Sequence, residues 1–143
     1  MNTQIITHRG LEPSRKSFFK ESSYKAFENH LKRGFGIEFD VNFTKDNKLV
    51  VIHDKNLKRI SKNKDERNIT DVTLRELRKY NISTFEEILS LIKKCNSELN
   101  FLHLKGGFQE KKYLELLTSK LNKHKQLHSK IIIFDVKPQT AKN

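Results

Sequence analysis

At 143 residues, 35% hydrophobic and 32% charged, the chain fits one domain over residues 1–143 and can bury a core without disulfides or structural metal. Its lone cysteine, Cys95, excludes an internal disulfide, and no apolar run approaches the roughly 20 residues of a transmembrane helix. The formal net charge of +12 would attract phosphates, nucleic acids or anionic lipid heads.

Met1–Ile6 carries no basic segment followed by an apolar stretch, so it does not read as a signal peptide, and a cytoplasmic protein is expected. Much of the charge excess is lysine, in segments such as Lys55–Lys64 and Lys120–Lys130. It reads equally as solvated surface. The charge suits an anionic substrate without identifying one.

The elements alternate in type, which predicts an α/β architecture. Gln4–His8 reads as a first strand, followed by a polar loop through Pro13. Ser22–Lys32 reads as a helix with Tyr24, Phe27 and Leu31 on its buried face and Gly34 as its stop. Gly36–Val41 and Leu49–His53 read as the second and third strands. Should these two run in the same direction, the seven residues between them must return extended, and they can span about 23 Å. Lys55–Asn68 shows no periodicity and reads as a charged surface excursion. Thr73-Leu74-Arg75-Glu76 and Thr84-Phe85-Glu86-Glu87 have capping-box spacing, so helices should start at both threonines. The second should run to about Lys94 and bury Phe85, Ile88, Leu89 and Ile92. Leu99–Leu104 is a fourth strand. Glu110–Lys123 is a helix with Tyr113, Leu114, Leu117 and Leu121 inward, and Lys130–Asp135 a fifth strand.

The chemistry gathers where these strands stop being apolar. Glu38 and Asp40 lie two residues apart and share one face of their strand. Two acids on an inward face call for a cation, and a divalent metal held by oxygen ligands is one answer. An exposed face with two solvated acids is the other. The strand before His53-Asp54 ends in a titratable pair, and so do those before His8-Arg9 and around His103 and Lys105. In parallel α/β folds such strand ends converge on one pocket. That combination suits an anionic substrate, a bound cation and proton transfer.

These residues resemble a known family. Thr7-His8-Arg9-Gly10, Glu21–Phe27, Gly36–Asp46 and Leu49–Asp54 match glycerophosphodiester phosphodiesterases in order and spacing over residues 4–60. Ile82–Leu89 resembles a later helix entry. The resemblance implies a TIM-type (β/α) barrel and hydrolysis of glycerophosphodiesters to an alcohol and glycerol phosphate. It implies His8 and His53 as the general acid/base pair, for which imidazole is suited by its near-neutral titration. Arg9 and Lys105 would bind the substrate phosphate, and Glu38 and Asp40 would hold a divalent cation, Ca²⁺, Mg²⁺ or Mn²⁺. Glu21 matches a glutamate near the site.

Two departures stand out. His103 occupies the position of a third carboxylate ligand, and imidazole suits Mn²⁺, Zn²⁺ or Fe²⁺ better than Ca²⁺ or Mg²⁺. A full barrel takes around 250 residues and eight strands, whereas five are counted here, so a partial barrel corresponding to the N-terminal part is expected. Open sheet edges such as Ile131–Phe134 would invite self-association. The expected function is a metal-dependent phosphodiesterase acting on a small-molecule phosphodiester. The alternative is a truncated, non-catalytic phosphate-binding or assembly module of the same fold. A third reading, nucleic-acid binding, finds no basic helix or aromatic platform to support it, so no specific nucleic acid is expected.

Overall fold

The computed structural model describes residues 4–12 and 19–134 of the chain. Its strands are β1 (Ile6–His8), β2 (Gly36–Phe43), β3 (Leu49–Val51), β4 (Ser83–Thr84), β5 (Asn100–Leu104) and β6 (Ile131–Phe134). Its α-helices are α1 (Tyr24–Lys32), α2 (Leu74–Leu77), α3 (Phe85–Lys94) and α4 (Lys111–Asn122). The five expected strands are present, and β4 adds a short sixth. Asp135, placed in the last strand by the sequence reading, lies outside the described residues, as does Pro13.

All six strands form one open sheet in the order β4-β3-β2-β5-β6, with β1 also paired to β2. β1, β2, β5 and β6 run parallel, whereas β3 is antiparallel to both of its neighbours. The extended parallel return considered for the residues between β2 and β3 therefore does not occur. Thr44 forms a tight turn instead: its amide donates to the Lys48 carbonyl at 2.9 Å, and its hydroxyl to Asp46 Oδ1 at 2.6 Å. Asn47 takes the left-handed conformation there, φ 55°.

Eight-residue β2 organises the sheet. Its first half pairs with β1, Ile6 opposite Gly36 through His8 opposite Glu38. Its last three residues pair with β3 on the same edge, Val41 opposite Val51. The other edge pairs with β5, Asp40 opposite His103. Alternation along β2 places Ile37, Phe39, Val41 and Phe43 in one apolar cluster with Phe27, Phe85, Ile88, Leu102 and Leu117. Glu38, Asp40 and Asn42 point to the opposite face. Asn100 joins three elements at the lower end of the sheet: its Oδ1 accepts from the Ile37 amide and Ser97 hydroxyl, and its Nδ2 donates to the Lys130 carbonyl.

Helix ends follow the sequence signals. Ser23 caps α1, accepting from the Ala26 amide, and Gly34 at φ 80° ends it. Both capping boxes form, although the helix after Thr73 is a single turn. Tyr24 is exposed rather than buried, because it opens its helix; Ala26, Phe27, His30 and Leu31 carry the inner face. Of the four α4 residues expected inward, Leu117 alone is fully buried. The Lys55–Asn68 excursion is more than surface. It closes on itself through Leu57 and Ile69 amide bonds to the Arg67 and Lys55 carbonyls, and it buries Leu57 in a second apolar cluster with Val50, Ile52, Ile69, Val72, Leu77 and Ile82.

A methyl group at Gly36 would lie 2.0 Å from the Leu99 carbonyl oxygen and 2.4 Å from Ile6 Cδ1, whereas one at Gly106 would meet nothing within 4 Å. Gly36→Ala is therefore expected to destabilise the chain by about 1–3 kcal/mol through overpacking. Gly106→Ala should stay within roughly 0.5 kcal/mol of wild type. Urea unfolding of the two variants measures the contrast.

Candidate active site

β1 climbs one edge of β2 and stops at Glu38; β3 descends the same edge and leaves it at Asp40. The Arg9 amide donates to the Glu38 carbonyl at 3.0 Å and the Ile52 amide to the Asp40 carbonyl at 3.0 Å. His8 and His53 thus issue from two strands that approach each other end to end. His53 reaches this level on an antiparallel return, not at the carboxyl end of a parallel strand. Asn42 fixes that return, its Nδ2 donating to the Ile52 and Asp54 carbonyls on either side of His53 at 3.2 and 3.3 Å.

Asp40 is the most enclosed group of the site, 1% exposed. Its carboxylate accepts from His103 Nδ1 at 2.8 Å and lies 3.5 Å from Lys105 Nζ and 3.4 Å from Arg9 Nε. Glu38 lies 3.7 Å from His8 Nε2. Burial and the neighbouring Asp40 charge hold the Glu38 carboxyl above the usual glutamate range, despite the opposing pull of His8 and Arg9. Arg9 NH1 reaches Glu21 Oε2 at 3.5 Å. One contiguous group therefore contains His8, Arg9, Glu21, Glu38, Asp40, His103 and Lys105. His53 joins it through a chain of partners: its Nδ1 lies 3.3 Å from Asp54 Oδ1, Asp54 binds Arg59, and Arg59 reaches Glu21.

The backbone is strained where these groups meet. Arg9 and Ser22 both adopt left-handed conformations, φ 53° and 57°, unusual for residues with side chains. They are tied by a bond from the Ser22 amide to the Arg9 carbonyl at 2.8 Å. Gly10 follows at φ 66°, and a Cβ there would lie 2.9 Å from the Ala26 methyl, so α1 can pack against this turn only if it is glycine.

Among the described residues, the buried side-chain polar atoms without a hydrogen-bond partner are Arg9 Nε, Ser22 Oγ, Glu38 Oε2 and Asp40 Oδ2. Orphaned buried polar groups are costly, and these gather at the proposed site. Glu38, Asp40 and His103 each offer a ligand atom within 4.8 Å of the others. Two carboxylates with unfilled oxygens and one imidazole form a donor set that a divalent cation fits. Asn42, Arg59 and Ser22 carry no role in the sequence reading, and Asp54 enters it only as the titratable neighbour of His53. Asn42 had a weak signal, a polar position inside a strand; Arg59 is hidden in a basic run.

Residues 8–137 match the glycerophosphoryl diester phosphodiesterase family. A glycerophosphodiester phosphodiesterase from Bacillus altitudinis is 30% identical over 145 residues, covering 92% of this chain and 57% of the relative. The structure of a glycerophosphodiester phosphodiesterase from Thermotoga maritima superposes with a TM-score of 0.69 at 28% identity, covering 94% of this chain and 56% of that one. An Oleispira antarctica phosphodiesterase, solved in complex with the product sn-glycerol-3-phosphate, superposes with a TM-score of 0.77 at 21% identity, covering 96% and 59%. The fold is thus that of a partial (β/α) barrel, and the chain belongs to the glycerophosphodiester phosphodiesterase family. It spans little more than half the length of these relatives.

Because the Glu38 carboxyl titrates above its ordinary value of 4.5, its ionised form weakens the metal-free fold. That loss is complete above the folded-state value and absent below the unfolded one. Glu38→Gln, which mimics the protonated acid, should therefore raise the unfolding temperature at neutral pH. The gain should disappear near pH 3, below the ordinary glutamate range. Thermal unfolding in the presence of chelator at the two pH values reads the sign.

Proposed function

We propose that this chain is a metal-assisted phosphodiesterase that splits glycerophosphodiesters into an alcohol and glycerol phosphate. The observation that carries this reading is the meeting of β1 and β3 on one edge of β2, which brings His8 and His53 to the level of Glu38 and Asp40. The product seen in the Oleispira relative is of the matching class.

His8 and His53 serve as the proton donor and acceptor, imidazole being the side chain that can take either role near neutral pH. Arg9, held by Glu21 and Asp40, binds the phosphate through its guanidinium fork, and Lys105 adds a second positive charge from the end of β5. Glu38, Asp40 and His103 would hold the cation. When bound, a divalent cation neutralises charge on the phosphoryl oxygens and orients the attacking hydroxyl. With an imidazole beside two carboxylates, the site favours Mn²⁺, Fe²⁺ or Zn²⁺ over Ca²⁺ or Mg²⁺.

A second reading, an assembly module that binds phosphate without turnover, is favoured by β6. Among the described residues this strand is the last in the sheet, and Ile132 and Ile133 are 45% and 38% exposed on its opposite faces. Light scattering separates the two readings. A monomer that turns over substrate supports the first; an oligomer without turnover, dispersed by Ile132→Lys, supports the second.

Purified chain supplied with Mn²⁺ should hydrolyse glycerophosphocholine, and His8→Ala or His53→Ala should each slow turnover by about 10²- to 10⁴-fold. Turnover that persists in chelator, or in both variants, would overturn the mechanism. Calorimetric titration should show Mn²⁺ binding more tightly than Ca²⁺, with the difference narrowed in His103→Ala.

A further inference from the structure

Arg59 lies outside every motif used so far, yet it bridges two carboxylates that flank the site. Its Nε donates to Asp54 Oδ2 at 2.7 Å and its NH2 to Asp54 Oδ1 at 3.1 Å, a side-on fork. The same NH2 lies 2.5 Å from Glu21 Oε1. Asp54 and Glu21 are both largely enclosed, 15% and 17% exposed, and each faces a second partner: His53 for Asp54, Arg9 for Glu21. One guanidinium thus joins the segment that carries His53 to the loop that carries the Arg9 partner.

We propose that Arg59 is a positioning residue, which fixes Asp54 so that this carboxylate sets the tautomer of His53 and which locks Glu21 against Arg9. The proposal rests on the reading of His53 as a proton-transfer group. A carboxylate only accepts hydrogen bonds, so His53 Nδ1 must donate to Asp54, which leaves Nε2 with the lone pair. Burial pushes the Asp54 carboxyl up, but hydrogen bonds from Arg59 and His53 outweigh it and keep the group ionised. Arg59 occupies both Asp54 oxygens and so holds the plane of the carboxylate. The charged groups around His53 are Asp54 beside it, Arg59 from the excursion, and Glu21 and Arg9 beyond. An ordinary exposed ion pair contributes little to folding, so a merely structural Arg59 would leave His53 unaffected.

The test is ¹⁵N NMR of the His53 ring in the full chain, made with wild type, Arg59→Met, Arg59→Lys and Asp54→Asn. The wild type should hold the Nδ1–H tautomer. Asp54→Asn and Arg59→Met should both move the ring toward the solution mixture, with the urea midpoint of Arg59→Met unchanged, and Arg59→Lys should fall between. Turnover in Arg59→Met should drop about 10- to 100-fold in kcat, with a smaller rise of about two- to fivefold in KM as Glu21 is released from Arg9. A wild-type tautomer in Arg59→Met overturns the proposal. Turnover that survives His53→Ala removes His53 from the proton-transfer role instead, and leaves the tautomer result standing.

Discussion

Two carboxylates fixed side by side on a buried strand set the terms for everything around them. Glu38 and Asp40 are placed by the pleat of β2, whose other face is committed to the apolar cluster, and neither can turn to solvent without dismantling that packing. Their environment has to supply positive charge. The protein does so from two sides: His8 and Arg9 at the end of β1, and His103 and Lys105 at the end of β5. Even so, one oxygen of each carboxylate stays without a hydrogen-bond partner. This is an environment poised for a cation, and the left-handed backbone at Arg9 and Ser22 lies beside it.

Much of this was legible in the sequence because it depends on local rules. Strand alternation identified the shared face of Glu38 and Asp40, and the capping boxes at Thr73 and Thr84 marked real helix starts. What stayed hidden depends on how segments meet. The alternation in Leu49–Val51 is the same whether the strand runs up or down, so its antiparallel direction could not be read from it. Tyr24 obeys helical spacing, yet at the first position of α1 it has no neighbour to bury it. Leu57 is one apolar residue in a charged run, and only the closure of that run by Arg67 and Ile69 makes it core. Arg59 acquires its role only once Asp54 and Glu21 are brought within reach of the same guanidinium.

The partial barrel has a particular geometry. Four parallel strands, β1, β2, β5 and β6, form the barrel-like arc, while β3 and β4 belong to an excursion attached to the far end of β2. The excursion adds a second apolar cluster, while Leu49 and Val51 of β3 pack into the one behind the arc. The arc carries the charged groups that surround Asp40, and the excursion delivers His53 and Arg59. The candidate site therefore lies on the seam between two packing units rather than inside one.

Because β2 overshoots the seam and β3 doubles back along it, loop length and strand length are governed by different rules. Residues added at the tip, around Asp46 and Asn47, would lengthen the hairpin away from the seam and leave both histidines in place. A single residue removed between Leu49 and His53 would shift the pairing by one position and turn every side chain in that stretch to the reverse face. His53 would then take the place of Ile52 and point into the Leu57 cluster. Among descendants of this fold, insertions should accumulate at the hairpin tip while the distance from Val51 to His53 stays fixed.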